Sequence, residues 1–135
     1  NRQAVQFVVD STGNTFANNV LAAVSISGGA VMGAGSGLLM EVDTTTATAN
    51  TFTQNVYITG SLDGRTPNAT EQVLTTLDAA WFADFPVMLT RDANTFRPSA
   101  AAPWLGQASR LSQATTDRDG TARTMATDPG PWEIP

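Results

Sequence analysis

The sequence contains no cysteine and no histidine, and all seven of its cations are arginines because lysine is absent as well. Without cysteine the chain has no disulfide and no thiolate for catalysis or metal binding. Without histidine it lacks the side chain that most often transfers protons near neutral pH. Proton transfer would therefore fall to aspartates and arginines, and the composition disfavours an enzyme.

Charge is scarce as well, because charged residues make up 14% of the 135 residues and the net charge is −5. An acidic, lysine-free chain is a poor partner for the phosphate backbone of nucleic acids and for anionic membrane surfaces. The longest weakly polar run, 20–40, is broken by serines and glycines and predicts no membrane span. Hydrophobic residues reach 41%, which predicts one folded domain rather than a disordered chain.

One heptad occurs twice in the chain. Asn-Thr-Phe-x-x-Asn-Val occupies residues 14–20 and again 50–56, at an interval of 36, and residues 94–96 repeat its first half. Such recurrence predicts supersecondary units that stack on one another, with chance recurrence in an Asn- and Thr-rich chain as the alternative. In a stack, Phe points inward, and Asn residues at equivalent bends form side-chain ladders.

Two further segments carry local signals. Residues 27–37 contain five glycines, but no Gly-Lys-Ser/Thr follows them, so they predict tight bends rather than a phosphate loop. Asn68 followed by Glu71 has the spacing of a helix capping box. Apolar residues at helical spacing come next, so the sequence predicts one α-helix over 69–83 with a core-facing stripe.

The tail, 107–135, is predicted to be a cap that closes one end of the stack. Its first turn is predicted to be held by Arg123, paired with Asp117 or Asp119, and its second turn contains two prolines. The cap residues are Asp117, Asp119, Gly120, Arg123, Asp128, Gly130 and Trp132. Asp117 and Asp119 also resemble the start of a Ca²⁺ loop, but Thr121 stands at its fifth position, so we expect no metal and no cofactor.

The tail also carries a family pattern. Between residues 102 and 133 the order is Ala-Pro-Trp-Leu-Gly, then Thr-Asp-Arg-Asp-Gly-Thr-Ala-Arg, then Asp-Pro-Gly-Pro-Trp-Glu. This resembles the C-terminal end of right-handed parallel β-helix proteins of the pectate-lyase-like superfamily. The matching residues are Pro103, Gly106, Asp117, Asp119, Gly120, Arg123, Asp128, Gly130 and Glu133. The departures from the pattern are Ala102, Trp104, Pro129 and Pro131.

The resemblance implies a mainly β domain over 1–135, built as a short right-handed parallel β-helix with one α-helix and a C-terminal cap. We expect β coils over 1–66, the helix and further strands over 67–106, and the cap beyond. The alternative fold is a β-sandwich or jelly roll, which would leave the 36-residue repeat unexplained.

The resemblance does not specify an activity, because the superfamily contains lyases, glycosidases, viral tailspikes and surface proteins without known activity. The candidate catalytic pairs lie in turns or beside the predicted helix, where solvated or capping charges are the simpler interpretation. These pairs are Asp63 with Arg65, Asp78 with Asp84, and Arg91 with Asp92. We therefore predict a chain that is not an enzyme.

The expected function is a structural module of an extracellular or virion-surface assembly, because an open coil end must be covered by something. We expect it to self-associate, or to dock on another protein, through an open N-terminal coil within 1–40. The alternative is a fragment of a polysaccharide lyase or glycosidase, or a carbohydrate-binding module, with Trp81 and Trp104 as candidate sugar-stacking residues. Because the sequence begins at Asn1, we expect a processed product or a part of a larger protein.

Overall fold

The chain is mainly β in its computed structural model, which describes the backbone of Val5–Gln6 and residues 11–41, 48–63, 65–83 and 97–130. The first six strands are β1 (Val5–Gln6), β2 (Thr15–Ala17), β3 (Val20–Ala22), β4 (Val24–Ser27), β5 (Ala30–Ala34) and β6 (Leu38–Glu41). The remaining elements are β7 (Thr51–Thr53), β8 (Val56–Ile58), β9 (Ser61–Asp63), β10 (Gln72–Leu74), the 3₁₀-helix Ala79–Trp81, β11 (Ala108–Ser109) and β12 (Ala126–Thr127).

Three short parallel sheets form the centre of the fold. Their strand orders are β1-β6-β9, β2-β7 and β3-β8-β10. We call β1, β2 and β3 the first layer, β6, β7 and β8 the second, and β9 and β10, which extend two of the three sheets, the third. Two antiparallel pairs, β4-β5 and β11-β12, lie outside these layers. Because the sheets that carry the heptads are parallel, they do not have the antiparallel pairing typical of a β-sandwich or jelly roll.

The two heptads stack on each other in register, which confirms the prediction from their 36-residue interval. Phe16 lies opposite Phe52 between β2 and β7, and Val20 lies opposite Val56 between β3 and β8. Between the two strands of each heptad the backbone turns through a left-handed residue at the same heptad position. These residues are Asn18, with φ 59°, and Gln54, with φ 54°.

Side chains from all three parallel sheets meet in one apolar cluster. It consists of Phe16, Leu21, Ala23, Leu39, Met40, Phe52, Tyr57 and Leu62. A second cluster covers the opposite face of the β3-β8-β10 sheet with residues of the later segment, among them Phe82, Ala102 and Trp104. The middle strand β8 is therefore buried on both faces, which its unbroken apolar sequence Val-Tyr-Ile suits.

The prediction of an α-helix over 69–83 is wrong. Gln72–Leu74 is a strand that adds to β8, with Gln72 N–H donating to the carbonyl of Asn55 at 2.9 Å. The capping-box bonds do form, because Asn68 N–H donates to Glu71 Oε2 at 3.1 Å, but they close a turn. Pairing with the edge of β8 gives the backbone N–H and C=O groups of this segment hydrogen-bond partners, as a short helix would. It also buries the Glu71 side chain, which is why tertiary context overrides the local helix propensity. Within the described residues 69–83, only Ala79–Trp81 is helical, as a 3₁₀ turn.

The glycine-rich segment forms the tight bends that its sequence predicts. Gly28 and Gly29, with φ 58° and 80°, make the turn between β4 and β5. Gly35 lies so close to the backbone of Val24 that a Cβ atom would fall 2.6 Å from its carbonyl carbon. A side chain cannot occupy that space, so glycine is required there for packing.

The tail lies beside the first two layers. Ser109 N–H donates to Gln54 Oε1 at 3.1 Å, and Asn18 Nδ2 donates to the Ser109 carbonyl at 2.9 Å. Further on, Gly130 N–H donates to the Asn18 carbonyl at 2.7 Å. The expected closure of one end by the tail stays a prediction. The left-handed bends at Asn18 and Gln54 turn polar groups outward, and the tail bonds to these groups.

Candidate functional site

Two asparagine ladders run between the first and second layers, as the heptad predicts. Asn14 Nδ2 donates to Asn50 Oδ1 at 3.0 Å, and Asn19 Nδ2 donates to Asn55 Oδ1 at 3.1 Å. The backbone N–H groups of Asn14 and Asn19 donate to the same two oxygens. Asn50 and Asn55 of the second layer therefore each accept from both the side chain and the backbone of an asparagine in the first layer. These paired bonds hold the two layers in one register.

The ladder of Asn19 and Asn55, which we call the inner ladder, continues into the third layer, where its next residue is Glu71. The ladder of Asn14 and Asn50 is the outer ladder. Val56 pairs with Gln72, so Asn55 and Glu71 occupy equivalent positions one layer apart. Asn55 Nδ2 donates to Glu71 Oε1 at 3.0 Å and to the Phe16 carbonyl at 2.9 Å. The ladder of neutral amides thus ends on a buried carboxylate.

Arg65 neutralises this carboxylate. Arg65 Nη2 forms an ion pair with Glu71 Oε2, and the two side chains are 5% and 0% exposed. Arg65 Nη1 donates to the Tyr57 hydroxyl at 2.8 Å, and that hydroxyl donates to Glu71 Oε1 at 2.7 Å. The charged groups are therefore fully engaged inside the protein, as a buried ion pair requires.

The guanidinium of Arg65 also ends an aromatic column. The rings of Phe16 and Phe52 stack between the first and second layers, with centroids 6.1 Å apart. In the third layer the guanidinium carbon of Arg65 lies 4.3 Å from the centre of the Phe52 ring. A cation over an aromatic face is attracted by the negative charge of the ring face. Arg65 and Glu71 thus cover the part of the apolar interior beside Phe52 at the third layer. We call Asn55, Tyr57, Arg65 and Glu71 the buried polar cluster.

The protonation states of the buried polar cluster follow from its contacts. Burial raises the pKa of Glu71, but hydrogen bonds from Arg65, Tyr57 and Asn55 together outweigh burial and hold that pKa below its ordinary value. Burial raises the pKa of Tyr57, and the neighbouring Glu71 carboxylate raises it further. Glu71 is therefore ionised and Tyr57 protonated at neutral pH. Neither group has a pKa near 7, and the side chain of Glu71 is 0% exposed, so the cluster suits a structural role better than proton transfer to a substrate.

Of the three candidate catalytic pairs, only Asp63 with Arg65 lies wholly within the described residues, and its two side chains are not brought together. Asp63 lies exposed at the end of β9, while Arg65 turns inward to Glu71. Asp78 Oδ1 accepts the Ala80 N–H at 2.9 Å and so caps the 3₁₀ turn. Asp84, Arg91 and Asp92 lie outside the described residues. Within 11–41, 48–63, 65–83 and 97–130, no three acidic side chains are grouped so that they could hold a metal ion.

The first turn of the tail forms around Asp117. Its Oδ1 accepts the Thr121 N–H at 2.7 Å, and Gly120 takes the left-handed conformation with φ 85°. Asp119 forms an ion pair with Arg97, with Nη2 and Oδ2 3.7 Å apart. Asp117 thus bonds within its own turn, whereas Asp119 pairs with an arginine outside the tail.

Arg123 holds the second turn of the tail. Its Nη1 donates to Thr127 Oγ1 at 2.9 Å and to the Asp128 carbonyl at 3.0 Å, and its Nη2 donates to the Gly130 carbonyl at 2.7 Å. Asp128 Oδ1 accepts the Gly106 N–H at 2.5 Å. Arg123 and Asp128 thus form hydrogen bonds with other residues of the tail and of the segment before it, while Trp132 and Glu133 lie outside the described residues.

The two candidate sugar-stacking tryptophans pack against each other. Their ring centroids lie 5.7 Å apart at an angle of 85°, an edge-to-face arrangement. Trp104 is 2% exposed and belongs to the second apolar cluster, so it presents no ring face to a sugar. Trp81 is half-buried beside it. The structure thus places Trp104 in the core and leaves Trp81 as the more exposed of the two.

The most exposed interior position lies at β10. Leu21, Tyr57 and Val73 occupy the same column of the β3-β8-β10 sheet. Leu21 is 8% exposed and Tyr57 1%, but Val73 is 54% exposed. A groove of about 420 Å³ runs beside Val73 and is bordered by the base of the β4-β5 hairpin. This end of the stack, β10 with its groove, is the candidate functional surface.

Sequence reasoning missed both the buried polar cluster and the exposed β10 edge. The third layer follows the second after 16 residues at Glu71, whereas the second follows the first after 36 at Asn55. A repeat search that looks for one period and for asparagine cannot find a shorter layer with glutamate at the ladder position. The capping box of Asn68 and Glu71 is the one sequence signal in this segment, and it predicts the start of a helix.

Comparisons with known proteins found nothing similar. No family model, no curated protein and no solved structure matches the chain. The resemblance of the tail to the pectate-lyase-like superfamily therefore stays a prediction. In the part of the chain that the structure describes, no helix has the length and apolar character needed to cross a membrane.

Proposed function

We propose that this chain is a non-catalytic structural module, folded as a short right-handed parallel β-helix, that self-associates through an exposed end of its stack. The observation that carries the proposal is the register of the two heptads. Phe16 stacks on Phe52 and Asn19 on Asn55, so the same side chains recur one layer apart. Such repetition suits a scaffold whose layers support one another.

The β-helix interpretation accounts for the order of strands in the three parallel sheets. The β1-β6-β9 and β3-β8-β10 sheets take one strand from each of the three layers, and the β2-β7 sheet takes one from each of the first two. This order is expected of a chain that winds repeatedly around one axis. Right-handed winding is proposed because connections between parallel strands of one sheet are right-handed in about 98% of cases.

The exposure of interior positions favours the third layer as the associating end. The sequence predicted the N-terminal coil, and no described strand pairs with the outer edge of β1, β2 or β3. However, the interior residue Leu21 of the first layer is 8% exposed, whereas Val73 of the third is 54% exposed. An unpaired strand edge beside an exposed apolar residue attracts another strand.

The low charge supports an assembly role. Charged residues are only 14% of the chain, and Thr, Ser and Asn are abundant on its strands and turns. Surfaces of this kind come together with little desolvation of charge. We propose that the assembly lies outside the cell or on a virion surface, where a rigid stack of this kind would serve as a building block.

Sedimentation velocity of the purified chain tests the proposal. As the protein concentration is raised across about three decades, the mean molar mass should rise from that of one chain toward that of an oligomer, because higher concentration favours association. A single species of monomer mass at every concentration would overturn the self-association. Depolymerisation of a polysaccharide that is lost on Asp63→Asn would contradict the non-catalytic role.

A further inference from the structure

The backbone of β10 has one edge without a partner. Gln72 N–H donates to Asn55, and the Leu74 carbonyl accepts from Thr59, so these two residues face β8. Successive residues of a strand direct their backbone groups to opposite edges, so the N–H and C=O of Val73 face away from β8. No described strand pairs there, since β10 is the outer strand of its sheet.

The side chain of Val73 is exposed at the same place. It occupies the column of Leu21 and Tyr57, whose side chains are buried in the apolar cluster that the three parallel sheets enclose. Removing the exposed half of this valine from water would be favourable, and that contribution is lost while Val73 stays open to solvent. A partner that covers this position would gain that contribution along with two backbone hydrogen bonds.

Among the residues that the structure describes, the groove beside β10 carries no charge. Ala34, Ser36, Thr59, Ser61 and Thr75 are among the described residues that line it, and none of these lining residues is ionisable. The chain as a whole carries a net charge of −5, so two copies repel each other over most of their surfaces. An uncharged edge is where two identical chains meet with the least repulsion, and this favours a second copy as the occupant.

We propose that two copies of this chain pair β10 against β10, antiparallel, about a two-fold axis that passes beside Val73. This proposal rests on the self-association proposed above and names the surface that carries it. An isologous contact of this kind closes on itself and gives a dimer, the commonest symmetric assembly. Addition of a strand to an exposed sheet edge is a recurrent way for proteins to bind.

The geometry of the three-residue strand suits this symmetry. In an antiparallel ladder, directly opposite residues that face each other exchange both N–H···O bonds. Val73 is the central residue and its groups point outward, so Val73 of each copy would donate to and accept from Val73 of the other. Gln72 then lies opposite Leu74. The two valine side chains fall on the same face of the joined sheet and cover the open interior of both stacks.

A head-to-tail arrangement fits the exposures less well. It would place β3 of one copy against β10 of another, so that Leu21 followed Val73 in the column. Leu21 is only 8% exposed, so it would bury little further surface in such a contact. In a Val73 pair, by contrast, both partners are 54% exposed before they meet. Head-to-tail pairing also leaves one open edge at each end and would give filaments rather than a dimer.

The first test compares two substitutions that add the same charge. Val73→Asp places two carboxylates opposite each other across the two-fold axis, where like charges are destabilising. Met125→Asp adds a charge at a residue that is 74% exposed in the tail. Sedimentation velocity should show that Val73→Asp raises the dimer dissociation constant by about tenfold or more. Met125→Asp should leave it within about twofold, since its charge lies away from the pairing edge.

The second test uses the absence of cysteine. Val73→Cys introduces a single thiol, and a short bis-maleimide should join two such chains rapidly because the thiols face each other across the axis. Met125→Cys is the matched control and should give little cross-linked product. Circular dichroism and thermal unfolding confirm that each variant is folded, and the cross-link yield keeps the proposal testable even if Val73→Asp fails to fold.

The outcomes separate this proposal from the broader one. Loss of the dimer in Val73→Asp together with efficient Val73→Cys cross-linking supports pairing through β10. Self-association that persists unchanged in folded Val73→Asp, or filaments without a Val73→Cys cross-link, overturns the β10 pair but leaves the assembly function standing. A wild-type chain that is monomeric at every concentration overturns both.

Discussion

Asn55 and Glu71 lie opposite each other in neighbouring layers, and Asn55 Nδ2 donates to Glu71 Oε1 at 3.0 Å. Asn55 is fully buried and accepts from the backbone and side chain of Asn19 as well. One amide therefore connects all three layers, from Asn19 through to the ion pair with Arg65. The stability of the stack should depend on this residue and on its charged neighbours more than on any exposed group.

Replacing Asn55 with alanine should destabilise the fold by about 2–4 kcal/mol, because several buried partners lose their hydrogen bonds at once. The groups left without Asn55 include the Phe16 carbonyl and the Asn19 N–H. Asn14→Ala is the matched control at the outer ladder, where Asn14 is exposed, and should cost about 1 kcal/mol. Urea denaturation measures both, and equal losses would show that burial of the inner ladder does not matter.

Removing one member of the buried ion pair should cost more than removing both. Arg65→Met leaves the Glu71 carboxylate buried without its cation, and we expect a loss of about 3–5 kcal/mol. The double variant Arg65→Met with Glu71→Gln leaves no buried charge and should recover part of that loss. A double-mutant cycle by chemical denaturation gives the coupling between the two residues. Additive losses would contradict the coupling that the contacts imply.

Stability should fall at acid pH through Glu71. Its pKa is held below the ordinary value in the folded chain, so the unfolded chain binds its proton first as the pH falls. The contribution of Glu71 is therefore complete above the unfolded-state value of 4.5 and is lost as the pH drops toward the lowered folded-state pKa. The difference in unfolding free energy between wild type and Glu71→Gln should shrink as the pH falls from about 6 to about 3, as this linkage predicts.

That difference is the quantity to measure, because other carboxylates also titrate in this range and affect both chains equally. Denaturant titrations at several pH values provide it. A difference that is constant with pH would mean that Glu71 is not held by its ion pair in the folded chain.

Two glycines with left-handed backbones should respond differently to alanine. A Cβ atom at Gly60 would lie 2.5 Å from the Gly37 carbonyl oxygen and 2.8 Å from Ala23 Cβ, whereas at Gly120 it would meet nothing within 4 Å. Gly120→Ala should cost about 1 kcal/mol from backbone strain alone. Gly60→Ala adds overpacking and should cost about 2–4 kcal/mol in total. Thermal unfolding of the two variants compares them directly, and a similar loss would place Gly60 in open space.

The stacking of the heptads could be predicted from the sequence because it depends on a repeat that is visible without coordinates. Identical residues at an interval of 36 pair most favourably in register, where Phe meets Phe and Asn meets Asn. The turns of the tail were also predictable, since Asp117 and Gly120 bond within a few residues of themselves. These features share one property, which is that their partners are local or are copies of one another.

The third layer could not be predicted in this way. Asn68 and Glu71 make the bonds of a capping box, and from the sequence alone a helix is the usual continuation of that pattern. Whether a helix or a strand follows depends on the free edge of β8, which offers backbone partners to Gln72 and Leu74. That edge exists only once the first two layers have formed.

The sequence by itself thus determined the interval of the stack, the ladders within it and the absence of thiol and imidazole chemistry. The tertiary structure decided where the stack ends, because Arg65 and Glu71 are brought together only by the third layer. It also decided which end stays open, since the exposure of Val73 against that of Leu21 depends on what packs over each. Burial is a property of neighbours, and neighbours that are distant in the chain are specified only by the fold.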